Sequence, residues 1–501
     1  ATRVMTLAIT LLLLVISLFG STRLEGEFFP ASDRPELLVS LTLPANASQA
    51  ATETQAKRLE AVLKNDPDVD HFSTYVGSGA VRFYLPMDVL LSHENIAQLV
   101  VVAKNLDARD ALAARLNQVL ERDFSNIVAR VSALELGPPV GWPIKYRVAG
   151  PDSQRVRDIA QGLASLVGKQ ADVREVNLTA GEPERTVNVV LNQTEARAVG
   201  ISSQDVASML AAIFSGSTLT SVRDGNRLVD VVIRGTLQER RDVATIANLQ
   251  IPIAEGRSVP LGQIATVAYG VEDPIIWRRQ REPFITVQID VAPGVRAPAL
   301  SEKLAPDIER YRAALPEGYH ITEGGVAAES DKGNGSVYAV LPVTLLVMLV
   351  LLIIQLQRIS RMVLAFLTAP FGLIGIVAAM LPTGTPMGFV ALLGAIALAG
   401  MIIRNAVILI GEVDLDVKNG QPATEAIVNA ASHRSRPIIL TALAAILGMI
   451  PIAHQVFWGP MAYAIIGGLM VATLLTLLAL PAALSLLMQW EGRKMANQTP
   501  S

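Results

Sequence analysis

The sequence predicts a helical membrane protein whose six spans, one before and five after, hold a large α+β domain outside the lipid. Three observations predict it. Six stretches are long and apolar enough to cross a bilayer core, the lysines and arginines of the short loops alternate in side, and residues 22–336 alternate strand and helix periods. Of the 501 residues 51% are hydrophobic, with the excess at the two ends.

The spans run Val4–Gly20, Val337–Leu356, Met362–Leu381, Met387–Ile410, Pro437–Ala453 and Met461–Leu487. The first is as short as the fifth, but Phe19-Gly20-Ser21-Thr22 is a poor signal-cleavage site, so it reads as an uncleaved helix. Arg358 and Arg361 follow the second span; Lys418, Arg434 and Arg436 lie between the fourth and fifth; Arg493 and Lys494 follow the sixth. The opposite loops, Pro382–Pro386 and His454–Pro460, carry neither Lys nor Arg. Both chain ends are therefore expected in the cytoplasm and residues 22–336 outside. Trp458 and Trp490 flank the last span at the two headgroup levels.

Within 22–336 a first block reads strand Leu37–Leu43, helix Ser48–Lys64, strands Val69–Val76, Ala80–Pro86 and Gln98–Ala103, helix Ala108–Arg122 and strand Asn126–Ala133. A second begins with strand Pro143–Val148, helix Ser153–Leu166 and strand Val173–Thr179, and ends with strand Phe284–Val291, helix Leu300–Ala314 and strand His320–Glu323. Both are split βαβ arrangements of the ferredoxin-like sort. Between the two parts of the second block, Thr218–Arg223 and Arg227–Ile233 alternate around Asp224-Gly225-Asn226, a hairpin turn that is either decorative or the tip of a contact arm. The expected division is 1–21 first span, 22–138 first unit, 139–191 and 272–336 the two parts of the second, 192–271 an insertion, 337–490 five-helix bundle and 491–501 tail.

Other function classes find no support. A net charge of −3 gives no electrostatic footing for nucleic acid, and a chain without cysteine has no thiol chemistry. For an enzyme, Gly168-Lys169 lacks the preceding glycine of a P-loop, and neither GxSxG nor HExxH occurs.

The spans are almost free of charge, with Glu412 and Glu491 just past their ends. Arg404 is the exception, about 10 Å inside its span at 1.5 Å per residue. Arginine there costs on the order of 2.5–3.5 kcal/mol and stays charged. One reading is that it snorkels to the headgroups. The other follows from Ala397 and Gly400 on its face: small residues let a helix pack close, so Arg404 faces protein and needs an anion this chain does not supply. Asn405 stands beside it, and Arg434, Thr441 and Gly448, seven apart, form a polar stripe on the next span. A hydroxyl such as that of Thr441 commonly bonds its own helix backbone; with Arg404 the stripe suggests a proton or ion route.

Taken together, Gly26-Glu27-Phe28-Phe29-Pro30, Val259-Pro260-Leu261-Gly262-Gln263-Ile264, Gly324-Gly325-Val326-Ala327-Ala328-Glu329-Ser330, the stretch from Ile403 to Leu409 and the stretch from Arg434 to Thr441 resemble the C-terminal half of a resistance–nodulation–division (RND) exporter permease over essentially the whole chain. The resemblance implies a proton antiporter of the bacterial inner membrane, powered by the proton gradient without a cofactor. It implies a homotrimer working with a periplasmic adaptor and an outer-membrane channel. Paired aspartates on the N-terminal half would face Arg404, with Asn405, Arg434 and Thr441 alongside. The α+β units would be periplasmic porter subdomains, 192–271 a docking insertion, and Phe72, Gly77, Ser78, Gly79, Phe83 and Tyr84 would lie near a substrate cleft, although ordinary strand packing accounts better for the aromatic residues and a Gly-Ser-Gly turn needs no functional reason. The drug pumps carry Lys where this chain has Arg404, which cannot release a proton. Without the carboxylates the sequence completes no proton cycle alone, so it is expected to be a fragment or a half requiring a partner chain.

Export of hydrophobic compounds is the expected activity. Metal export is the rival, weakened because only Met87 and Met209 lie in the outer domain and His71, His93 and His320 show no ligand spacing. A protein-translocation component of the SecD/SecF kind shares the span layout but carries acidic residues in its own spans.

Overall fold

The computed structural model describes residues 2–496 except 25, 30, 31, 86, 139, 254 and 255. The Pro30 end of the first motif, the Pro86 end of an expected strand, the boundary at 139 and tail residues 497–501 lie outside the described residues. The chain forms two compact units, one of 1–43, 48–179 and 277–501, the other of 44–47 and 180–276.

The first unit opens with α1 (Thr2–Ser21), then β1 (Glu36–Thr42), α2 (Gln49–Lys64), β2 (Val69–Val76), β3 (Ile96–Ala103), α3 (Leu106–Asp123) and β4 (Val128–Ala133). The strands pair antiparallel in the order β2-β3-β1-β4. Leu37, Val39 and Leu41 share one face of β1, and Leu112, Leu116 and Leu120 recur every four residues on α3, so both elements bury one apolar side in a common core. Ser48 caps α2 by accepting from the Ala51 N–H, and Asn105 caps α3 through Ala108. The next elements are β5 (Ile144–Ala149), α4 (Ser153–Val167) and β6 (Val173–Leu178).

The chain then forms the second unit. β7 (Glu184–Leu191) leads to α5 (Gln193–Ala198), α6 (Ser203–Phe214), the hairpin β8 (Ser217–Asp224) and β9 (Arg227–Ile233), α7 (Leu237–Arg241), β10 (Gln250–Pro252), β11 (Ser258–Pro260), α8 (Leu261–Ile264) and β12 (Ala265–Glu272). β12 pairs antiparallel with β7 over a core that includes Ile201, Val206, Leu249, Ile251 and Leu261.

Returning to the first unit, β13 (Arg278–Arg279), β14 (Glu282–Val291), α9 (Ala297–Ala313) and β15 (His320–Gly324) complete the second sheet, in which β6, β14, β5 and β15 stand in that order. It repeats the order of the first sheet. Six helical segments then follow: α10 (Gly325–Leu356), α11 (Ile359–Phe366), α12 (Phe371–Thr383), α13 (Phe389–Lys418), α14 (Ala423–Ala453) and α15 (Gly459–Ala496). Counting α11 and α12 as one span, six helical stretches among the described residues, α1 included, are long and apolar enough to cross a membrane, as expected. β15 passes into α10 through Gly325, whose φ of +74° and closeness to the Pro143 carbonyl (a Cβ would lie 2.4 Å from its oxygen) require glycine. α12 and α15 approach closely, so that a Cβ on Gly375 would lie 2.1 Å from the Gly467 oxygen.

One expected strand is absent. From Ala80 to Leu85 the chain pairs with no strand; Val81 and Leu85 point outward, 70% and 81% exposed. The Ala80 N–H instead donates to the Gln98 side chain at 2.8 Å, while Ala80 and Met87 are buried with Leu38 and Leu134. Anchoring at those two residues replaces alternation.

Candidate functional site

The membrane helices carry the candidate site. On α13, Ala397, Gly400, Arg404 and Gly411 lie at spacings of three, four and seven along one exposed face, and a Cβ on Gly400 or Gly411 would meet nothing within 4 Å. Arg404 is exposed and makes no ion pair among the described residues. Asn405, one step round the helix, is buried, 5% exposed. On α14, Thr441 and Gly448 are likewise exposed and Gly448 is uncovered. The Thr441 hydroxyl donates within its own helix, 3.0 Å from the Pro437 and Ile438 oxygens. Arg434 is partnered: its Nε donates to Glu412 Oε2 at 3.2 Å, joining α14 to α13. Arg404 and Thr441 thus lie on open faces of neighbouring helices, and Arg434 is held by this chain's own carboxylate.

A second charged group was not foreseen. Arg361 on α11 is fully buried, with Nε 3.4 Å from Asp414 Oδ1 and Nη2 3.4 Å from Glu491 Oε2. Ser360 donates to Glu491 at 2.6 Å, and Arg358 lies 3.9 Å from the same carboxylate. Two arginines and two carboxylates balance, so the group ties α11, α13 and α15 together without net charge. Hydropathy puts Arg358 and Arg361 in a loop and ends the fourth span at Ile410. Continuing the helical period to Asp414 would have put a carboxylate one turn beyond that end.

In the outer part of the first unit, Phe72 is half-buried against the first sheet's core. Gly77 takes φ +77°, Ser78 follows it, and a Cβ on Gly79 would sit 3.0 Å from Leu90. Phe83 is 41% exposed with the Arg34 guanidinium 5.8 Å from its centroid. The Tyr84 hydroxyl accepts from the Glu135 N–H at 3.2 Å. Burial raises the Glu135 carboxyl and lowers the Lys145 ammonium, each with the Asp88 charge acting on it. On β14, opposite Glu175 of β6, Asp290 lies 3.0 Å from Arg174 and 3.8 Å from Arg130, and burial pushes Glu175 up to about 6. Among the described residues, no group of three or more His, Asp or Glu is placed to hold a metal ion. In the second unit Asp224, Gly225 and Asn226 form the hairpin tip, with Gly225 at φ +59°, and every residue of both strands is exposed, among them Leu219, Val222 and Leu228.

The sequence matches the AcrB/AcrD/AcrF family over residues 1–488. It is similar to the Swarming motility protein SwrC of Bacillus subtilis (strain 168), 24% identical over 98% of this chain and 46% of that protein. It is also similar to the Cation efflux system protein CzcA of Alcaligenes sp. (strain CT14), 25% identical over 95% and 46%, and to the Cobalt-zinc-cadmium resistance protein CzcA of Cupriavidus metallidurans, 25% identical over 95% and 46%. A crystal structure of a heavy metal efflux pump superposes with a TM-score of 0.81 at 24% identity, covering 98% of this chain and 50% of that one. The chain spans about half the length of the curated relatives it matches.

Proposed function

The chain belongs to the AcrB/AcrD/AcrF family of RND permeases, and from that premise we propose that it is the C-terminal half of a proton-driven efflux transporter whose cargo is a metal cation. The observation that carries the transport reading is Arg404, a permanent cation at membrane depth on a face that no described residue covers. Carboxylates from the N-terminal half would pair with it, the Thr441 hydroxyl would stand beside them while the buried Asn405 stays within this chain's own packing, and protonation would release the carboxylates. Because arginine holds its charge, the proton is carried by the carboxylates and Arg404 sets their affinity for it. Release lets the helices shift and rock the two βαββαβ units, read as ferredoxin-like porter subdomains, between loading and extruding states.

Cargo is where the relatives change the expectation. Sequence alone favoured hydrophobic compounds, whereas two of the relatives are named for cation efflux or for cobalt, zinc and cadmium resistance. Placement in a bacterial inner membrane, a homotrimer joined through the exposed hairpin, and work with an adaptor and an outer-membrane channel complete the reading. Expression of the full-length transporter in a pump-deficient bacterium tests it. Raised tolerance and lowered accumulation of zinc, cobalt or nickel, with dye accumulation unchanged, support a metal pump; the reverse pattern restores hydrophobic export.

A further inference from the structure

α1 packs on α12 and α15, and α14 packs on α15 and α13, which leaves a groove between α1 and α14 floored by α15. At its end near Thr2 and Thr424 lies a cavity of about 190 Å³. Its polar wall consists of Thr2, Arg3, Thr6, Thr424 and Ser485. Its remaining wall includes Ile427, Val428 and Pro481, and no carboxylate lines it. Arg3 Nη1 donates to Ser485 Oγ at 2.6 Å, which uses one of the five N–H donors of the guanidinium. No Asp or Glu pairs with Arg3 among the described residues. A cation half-buried beside hydroxyls, without an anion of its own, is an acceptor site for an anionic oxygen group.

The surroundings give the source of that group. Val428, in the wall itself, is 63% exposed, and Met5 and Ile9 on α1 are 60% and 49% exposed, further along the same helix toward the middle of the span. The site therefore presents a polar end with a cation and an open apolar side, the two halves of an amphiphile. Its level agrees with that reading: Arg361 at the start of α11 and Lys418 at the end of α13 lie on the side assigned to the cytoplasm by the distribution of basic residues. Basic pockets between spanning helices on that side bind anionic lipid headgroups.

We propose that the groove between α1, α14 and α15 binds one anionic phospholipid of the inner leaflet, its phosphate on Arg3, Thr424 and Ser485 and its acyl chain over Val428. The proposal rests on the six spans and their orientation and is independent of what the transporter exports. The test is native mass spectrometry of the full-length transporter after detergent exchange in the presence of phosphatidylglycerol, phosphatidylcholine or inorganic phosphate. The wild type is expected to retain phosphatidylglycerol over phosphatidylcholine. Arg3→Gln is expected to lower that retention about tenfold, as loss of one charge-assisted contact does. Arg3→Lys should retain most of it, and Arg358→Gln, at the same membrane level, all of it. Undiminished retention in Arg3→Gln, equal retention of the two lipids, no lipid on the wild type, or displacement by millimolar inorganic phosphate each overturns the proposal. Arg3→Lys and Arg358→Gln guard against a folding defect, because a misfolded Arg3→Gln leaves them as the informative pair: loss in Arg358→Gln equal to that in Arg3→Lys also overturns it.

Discussion

Arg434 on α14 donates through Nε to Glu412 on α13 at 3.2 Å, so the arginine nearest the membrane mouth is neutralised within the chain while Arg404, two turns deeper on α13, is not. This pair divides the two arginines by role. Arg434→Gln or Glu412→Gln removes a partly exposed ion pair and should cost no more than about 1 kcal/mol of stability. Thermal unfolding of the detergent-solubilised protein checks it. A loss several times larger would mean that the pair is more deeply desolvated than its exposures of 39% and 24% indicate.

Arg361 should behave differently. It is fully buried between two carboxylates, and removing one member of a buried pair leaves a charge without compensation, at roughly 3–5 kcal/mol. Arg361→Gln is therefore expected to lower the unfolding temperature well beyond Arg434→Gln. Asp414→Asn, which leaves Glu491 in place, should fall between them. Equal effects for Arg361→Gln and Arg434→Gln would contradict the assignment of Arg361 as the tie between α11, α13 and α15.

The outer domain should respond to acid through Glu175. Burial raises its carboxyl from 4.5 to about 6. The folded state then binds the proton more tightly than the unfolded state. The stabilisation from this group is fully present below pH 4.5 and is lost as pH rises through about 6. Glu175→Gln should flatten that part of the stability profile, measured by denaturant unfolding of the full-length protein at a series of pH values. An unchanged slope would assign it to another group.

Gly375 is the position where packing leaves no room. A Cβ there would lie 2.1 Å from the Gly467 oxygen, and backbone cannot move aside as a flexible side chain can. Gly375→Ala should destabilise the helix bundle by about 1–3 kcal/mol. Gly400→Ala, where a Cβ would meet nothing within 4 Å of this chain, should leave the isolated half unaffected. Thermal unfolding of the two variants distinguishes the sites.

The spans, the hairpin and most strands of the two sheets were legible because each depends on one local period: a run of apolar residues, alternation, or a turn such as Asp224-Gly225-Asn226. The Ala80–Pro86 strand failed because alternation is also what an exposed segment shows when tertiary anchors lie only at its ends, here Ala80 and Met87. At the membrane, Ala397 and Gly400 point to a close-packed helix on the face of Arg404, and no described residue covers that face. The Arg361 group was invisible for the opposite reason. Its partners Asp414 and Glu491 lie 53 and about 130 residues away, and only helix lengths set by packing bring them to one level.

The most direct test of the central claim, that Arg404 is the fixed cation of a proton relay completed by another part of the transporter, is proton-gradient-driven zinc uptake into inverted vesicles. It compares full-length wild type, Arg404→Lys and Arg404→Gln at equal folded amounts. The account predicts uptake near wild type for Arg404→Lys and none above the uncoupled background for Arg404→Gln. Wild-type uptake by Arg404→Gln would contradict it.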